Sequence, residues 1–243
     1  MDWYTVFWRE MVFLRKRLFK FFTGSMVSPL LYLVAFGWGL GRGMQMNGTN
    51  YLAFVVPGIV ALSAMNGSYN STGVPLNISR FYHKTWEEYL IAPITSISLV
   101  FGKILAGCVR GSVSSLIILG LGFAFGVRLH LNLWFFIALF LTCFLFASLG
   151  LVAALSINSH EDMSQFGTFV ILPMTFLCGT FFSVDKLPGW ISWFIQILPL
   201  THASRSLRDI ALGSDFPLIS LLVLLGYAVV LFIGGVFIAR RVE

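Results

Sequence analysis

Residues 131–156 read LNLWFFIALFLTCFLFASLGLVAALS, a run with no charged side chain from end to end. As a helix rising about 1.5 Å per residue, it outspans the roughly 30 Å hydrocarbon core of a bilayer. Outward from it, similar runs recur at about 21–40, 51–73, 96–126, 164–182 and 216–239. Six such runs give an all-α membrane protein with one transmembrane domain over 1–243. The composition agrees: 58% of residues are hydrophobic and 11% charged, against about 25% charged in soluble domains. A soluble chain of this length could not hide that much apolar surface. The formal charge of +6 does not suggest nucleic acid, because the basic residues flank apolar runs and do not cluster on a soluble domain.

Lys and Arg placement orients the chain. With the N-terminus in the cytoplasm, Arg9, Arg15, Lys16, Arg17, Lys20, Arg80, Lys84, Lys103, Arg240 and Arg241 lie inside. Arg42, Arg128, Lys186, Arg205 and Arg208 lie outside, and Arg110 stands within the third span. The excess puts both termini in the cytoplasm. Residues 2–20 precede the first span and form an amphipathic interfacial helix. Tyr4, Phe7, Trp8, Met11, Leu14 and Leu18 share one face, and Arg9, Lys16, Arg17 and Lys20 lie mostly opposite. Such a helix is drawn to anionic lipid.

The stretch 187–213, LPGWISWFIQILPLTHASRSLRDIALG, is apolar enough to raise the question of a seventh span. Placing Arg205, Arg208 and Asp209 near mid-bilayer would cost roughly 8–10 kcal/mol. Two short helices broken at Pro199, dipping into the outer leaflet, fit better. Pro188, Trp190, Trp193, Pro199 and Arg208 are then candidates for an outer gate, with interfacial anchoring the plainer role of the tryptophans.

Several chemistries are missing. The ten acidic residues fall at the ends or in loops, His83, His130, His160 and His202 lack metal-ligand spacing, and no GxxxxGKS/T phosphate loop occurs. Cys108, Cys143 and Cys178 form no CxxC pair and read as small core residues. No catalytic, cofactor or metal set is visible, so uphill transport would need energy from another subunit. Arg110 is the one charge inside a span. It is either a structural group paired with backbone carbonyls or a partner, or a substrate-linked group.

Between the second and third spans, Ser79 can cap a helix and Pro93 stop it. A short amphipathic helix over 80–91 follows, with Tyr82, Trp86, Tyr89 and Leu90 on one face and Lys84 spaced to pair with Glu88. That face needs the membrane surface, the N-terminal helix or a groove in another protein.

These features resemble the type-2 class of ABC exporter permeases over nearly the whole chain. YLAFVVPGIVALSAM (51–65) is similar to that family's second span, and KTWEEYLIAPI (84–94) to its coupling-helix region. CGTFFSVDKLPGWISWFIQILPLTHASRSLRDIALG (178–213) is similar to the stretch before its last span. Within the class the likeness is to permeases of nodulation-factor (lipo-oligosaccharide) and drug export. Ser183-Val184-Asp185 departs from it, because many relatives carry a Pro at or near Ser183. The resemblance implies a bacterial inner-membrane permease that dimerises with a second copy or homologue. Each permease would dock a cytoplasmic ATPase, which carries the ATP and magnesium. It also implies that Tyr82, Lys84, Trp86, Glu87, Glu88 and Tyr89 form the ATPase-coupling segment, and that an amphipathic or lipid-linked substrate leaves between the permeases. A lipid flippase-like role on the same fold and a passive channel or scaffold remain the alternatives.

Overall fold

The computed structural model describes residues 2–16, 24, 27–40, 45–46, 49–82, 85–182, 188–214 and 216–241. Arg17 and Lys84 lie outside them, as do Lys20 and residues 183–187. Helix α1 is Asp2–Lys16. Helix α2 covers 27–32 and continues as the wider π-helix Leu33–Leu40. A ribbon of two residues per strand follows, β1 (Gln45–Met46) against β2 (Thr49–Asn50). Then come α3 (Tyr51–Phe81), α4 (Thr85–Ile91), α5 (Ser96–Ala124) and α6 (Leu133–Ser156). Helix α7 (His160–Phe166) passes through the π-helix Gly167–Ile171 into α8 (Leu172–Leu177). Helices α9 (Gly189–Ile197), α10 (Pro199–Leu212) and α11 (Leu218–Arg241) complete the chain.

Among the described residues, α3, α5, α6 and α11 are long and apolar enough to cross a membrane. Helix α3 is the axis of the bundle: 78% of its most apolar window is buried, against 22% for α11. From Leu218 to Phe237 the exposed large side chains of α11 are Leu, Ile, Val and Phe, which water would not tolerate as a continuous face and lipid does. Close packing around α3 depends on small residues. Gly111 lies against Ser68 and Gly107 against Thr72, leaving no room for a Cβ on either glycine. On the other side, a Cβ at Gly150 would stand 2.8 Å from the Tyr69 carbonyl. Small residues at four-residue spacing are how helices without a hydrophobic driving force approach each other.

Two expected boundaries move. Helix α3 runs through Ser79 to Phe81, so Ser79 does not cap the next helix, which starts at Thr85 rather than 80. Arg80 is the last basic residue of α3, and its Nη1 donates to the Ala154 and Leu155 carbonyls at 2.6 and 2.8 Å. It satisfies acceptors that the end of α6 leaves open. Helix in the stretch expected as a span at 164–182 begins earlier, at His160, and is not one regular helix. Ser159 accepts from the Asp162 N–H and caps α7. Pro173 then has no N–H for the carbonyl four residues back, and the helix widens over Gly167–Ile171 just before it.

Candidate functional site

Helix α1 lies along α5. Val6 is 2% exposed and packs where Gly102 leaves room: a Cβ there would stand 2.7 Å from the Trp3 carbonyl. The Trp3 and Phe101 rings meet edge to face at 5.6 Å. The protein-facing side of α1 is therefore Val6 and Glu10, with Met11 and Leu14 half-buried, while Tyr4 and Trp8 of the expected apolar stripe stay exposed and stack on each other. Lys16 is exposed. The rotation has an electrostatic cause. Lys103 and Arg110, seven residues and about two turns apart, point from one face of α5. Both take Glu10: Lys103 Nζ at 2.5 Å and Arg110 Nη2 at 2.9 Å.

Arg110 is 9% exposed and reaches three acceptors. Nη2 donates to the Glu10 carboxylate and to its backbone carbonyl at 3.0 Å, and Nη1 donates to the Ser71 carbonyl at 3.1 Å. The last acceptor follows from the sequence. Pro75 inside α3 has no N–H to give the carbonyl of Ser71, four residues back, and Arg110 fills that vacancy. Burial pushes the Glu10 carboxyl up, but Lys103 and Arg110 outweigh it and hold the group below its ordinary value.

The charged cluster extends to α4. The Arg9 guanidinium and the Lys103 ammonium each sit 5.0 Å from the Tyr89 ring centre, within cation–π range. Trp86, 4% exposed, lies beside Tyr89 at 6.4 Å between ring centres. Of the partners open to this aromatic face, Tyr89 meets the N-terminal helix and α5. Tyr82 does not share it: it lies in the turn before α4, is 68% exposed and packs edge-on to His160. Glu88 and Ile91 point outward. Glu87 lies in α4.

Arg9, Glu10, Lys103 and Arg110 also line a cavity of about 1120 Å³. Its walls come from α1, α2, α3, α4, α5 and the α7–α8 stretch. Its lining is partly polar, with Ser63, Asn66, Asn70 and Ser114, and partly apolar, with Phe13, Leu62, Ile171, Leu172 and Phe176.

The residues expected at an outer gate do not gather at one place. Pro188, Trp190 and Trp193 are exposed on or beside α9, with the two tryptophans 78% and 70% exposed. Pro199 starts α10. Arg208 points into the protein. Its Nε donates to the Phe54 carbonyl at 3.0 Å, and its Nη2 to the Gly179 and Thr180 carbonyls at 2.8 and 3.3 Å. Its guanidinium also stands 3.7 Å from the Phe54 ring centre. Ser204 donates to the Cys178 carbonyl and Tyr51 to that of Phe181. Four consecutive carbonyls of irregular backbone, 178–181, are thus each satisfied by a side chain, as buried backbone requires. Gly58 is what lets α3 approach that segment, since a Cβ there would lie 2.8 Å from the Thr180 carbonyl.

An N-terminal helix laid along α5, a cavity beside a buried ion cluster and a satisfied irregular segment before the last helix now stand together. The family model for the ABC-2 type transporter matches residues 1–212. The chain belongs to the ABC-2 type transporter family. This ABC-2 permease is 32% identical to Nodulation protein J of Rhizobium meliloti (strain 1021), over 99% of its own length and 93% of that protein's. It is 28% identical to the Inner membrane transport permease YadH of Escherichia coli (strain K12), over 84% of its length and 82% of that protein's. Nodulation protein J of Bradyrhizobium diazoefficiens is also 28% identical, over 99% and 93%. As a member of this family the permease is a membrane transport protein, and the family implies an ATP-binding subunit as its partner. Glu10 is the site residue that sequence reasoning missed. Its signal is that no other acidic residue stands between Asp2 and Glu87.

Proposed function

We propose that this chain is the membrane-spanning subunit of an exporter in the bacterial inner membrane, moving an amphipathic or lipid-linked molecule out of the cytoplasm or inner leaflet. Lipo-oligosaccharides, glycolipids and lipophilic drugs are the substrate classes. The chain crosses the membrane six times with both termini inside, α2 and the α7–α8 stretch adding to the four long helices. Helices α9 and α10 dip into the outer leaflet. A second permease completes the path, and a cytoplasmic ATPase holding ATP and magnesium docks at α4 and α1.

One observation carries this reading. Tyr89 of α4 is held between Arg9 and Lys103, and Lys103 shares Glu10 with Arg110 on the cavity wall. A push on α4 therefore reaches the cavity through a short series of charge contacts. Exposed Glu88, with Glu87 beside it in α4, supplies charge at the docking rim, where it tunes encounter and salt dependence.

Affinity purification of the tagged chain from its own membranes tests the reading. An ATPase chain carrying a GxxxxGKS/T loop should accompany it, and reversal of Glu87 and Glu88 to Lys should abolish the association or uncouple hydrolysis from transport. Purification without any such chain would remove the basis for an ATP-driven exporter.

A further inference from the structure

The cavity carries more cation than its own carboxylate neutralises. Arg9, Lys103 and Arg110 line it against Glu10 alone among the described lining residues. Burying unmatched charge is costly unless a counter-charge arrives. The polar atoms beside the cluster are also incompletely used. Arg110 Nε and Ser114 Oγ have no hydrogen-bond partner among the described residues, and both side chains are about nine-tenths buried or more. Ser114 lies one helical turn beyond Arg110 on α5. These atoms lie just under the cavity lining, and buried donors without an acceptor beside excess positive charge favour an oxyanion. Phe13, Leu62, Ile171, Leu172 and Phe176 add apolar lining to the same cavity.

We propose that this cavity binds an amphiphile by its acidic head, a phosphate, sulfate or carboxylate held by Arg110 and Lys103 beside Ser114, with its acyl part along the apolar lining. Glu10 pairs with both cations and competes with the head for them. The inference deepens the exporter reading by fixing the charge of its substrate class, and it rests on that reading for the step from binding to transport. Binding itself can be tested without the ATPase.

The probe is lysophosphatidic acid, compared with lysophosphatidylcholine of the same acyl chain and with inorganic phosphate, by native mass spectrometry of the full chain released from neutral detergent. One lysophosphatidic acid should be retained at least tenfold more tightly than the zwitterionic lipid, and inorganic phosphate should not be retained. Equal retention of the two lipids overturns the anion site, and retention of phosphate as tight as that of the lipid acid overturns the amphiphile. Arg110→Gln should abolish the preference. Because that variant also breaks an ion pair, Glu10→Gln is the second: it breaks the same pair, yet it should tighten lysophosphatidic acid severalfold by removing the competitor. A purely structural cluster predicts weaker or unchanged binding in Glu10→Gln, and that result would sink the inference. An ATPase that copurifies while the lipid preference is absent would overturn only the anion site. The preference without any ATPase would overturn only the exporter.

Discussion

Glu10 and Arg110 are a hundred residues apart in sequence and 2.9 Å apart in the fold. Their contact fixes which face of α1 meets the protein, and it joins the N-terminal helix to the wall of the cavity. Lys103 shares the carboxylate, so one acid serves two cations in a mostly buried setting. Removing one partner from such a cluster leaves buried charge unmatched, which is worse than never having built the pair. Glu10→Gln and Arg110→Gln should each destabilise the chain by about 2–3 kcal/mol. The double variant should lose less than the sum. Thermal unfolding of all four forms in one detergent measures the coupling; strictly additive losses would mean that the two side chains do not interact.

The same carboxyl predicts a pH dependence. Glu10 is held below its ordinary value in the folded protein. Its contribution is complete above the unfolded carboxylate range, near about pH 4.3, and is lost as pH falls through the lower folded value. Protease cleavage within α1 should accelerate over that acid window in the wild type. In Glu10→Gln it should already be faster at neutral pH and should not change over the window.

Arg208 should behave as a structural clamp. Its donors satisfy carbonyls at Phe54, Gly179 and Thr180. Arg208→Gln should cost about 3 kcal/mol by leaving buried carbonyls unmet, and Arg208→Lys should recover little, because an ammonium cannot span three acceptors as a planar guanidinium does. Gly58→Ala should produce a related loss of about 1–3 kcal/mol through overpacking against the Thr180 carbonyl. Yields of monodisperse protein and melting temperatures report both. Wild-type melting of Arg208→Gln would return that residue to the list of gate candidates.

On α4, burial separates two kinds of residue. Trp86 and Tyr89 are buried against the chain itself, while Glu88 and Ile91 are exposed. Trp86→Ala should lower folded yield. Glu88→Lys and Ile91→Asp should leave yield and melting unchanged and reduce ATPase copurification at least several-fold. If Trp86→Ala purified normally and only lost the ATPase, the tryptophan would belong to the docking surface.

Much of this was legible in the chain. The uncharged run at 131–156 became α6, and a lone charge inside an apolar run marked Arg110 as special. Its partners were hidden for different reasons. The Ser71 carbonyl is announced only by Pro75 four residues later, a backbone vacancy and not a side-chain motif. Glu10 sits on a helix whose apolar spacing favours a different face, and only the fold brings Lys103 and Arg110 to it. Tyr82 illustrates the converse: helical spacing grouped it with Trp86 and Tyr89, but α3 continues to Phe81 and leaves Tyr82 in the turn. Spacing arguments hold within one helix and fail across an unseen boundary.

The central claim is that α4 reaches the cavity through Tyr89, Lys103 and Glu10. It is tested most directly by ATP hydrolysis of the permease–ATPase complex in proteoliposomes containing candidate glycolipids. The wild-type complex should hydrolyse faster when substrate is present. The Tyr89→Leu complex should still assemble and keep basal hydrolysis but lose that increase. An increase in that variant equal to that of the wild type would contradict the account.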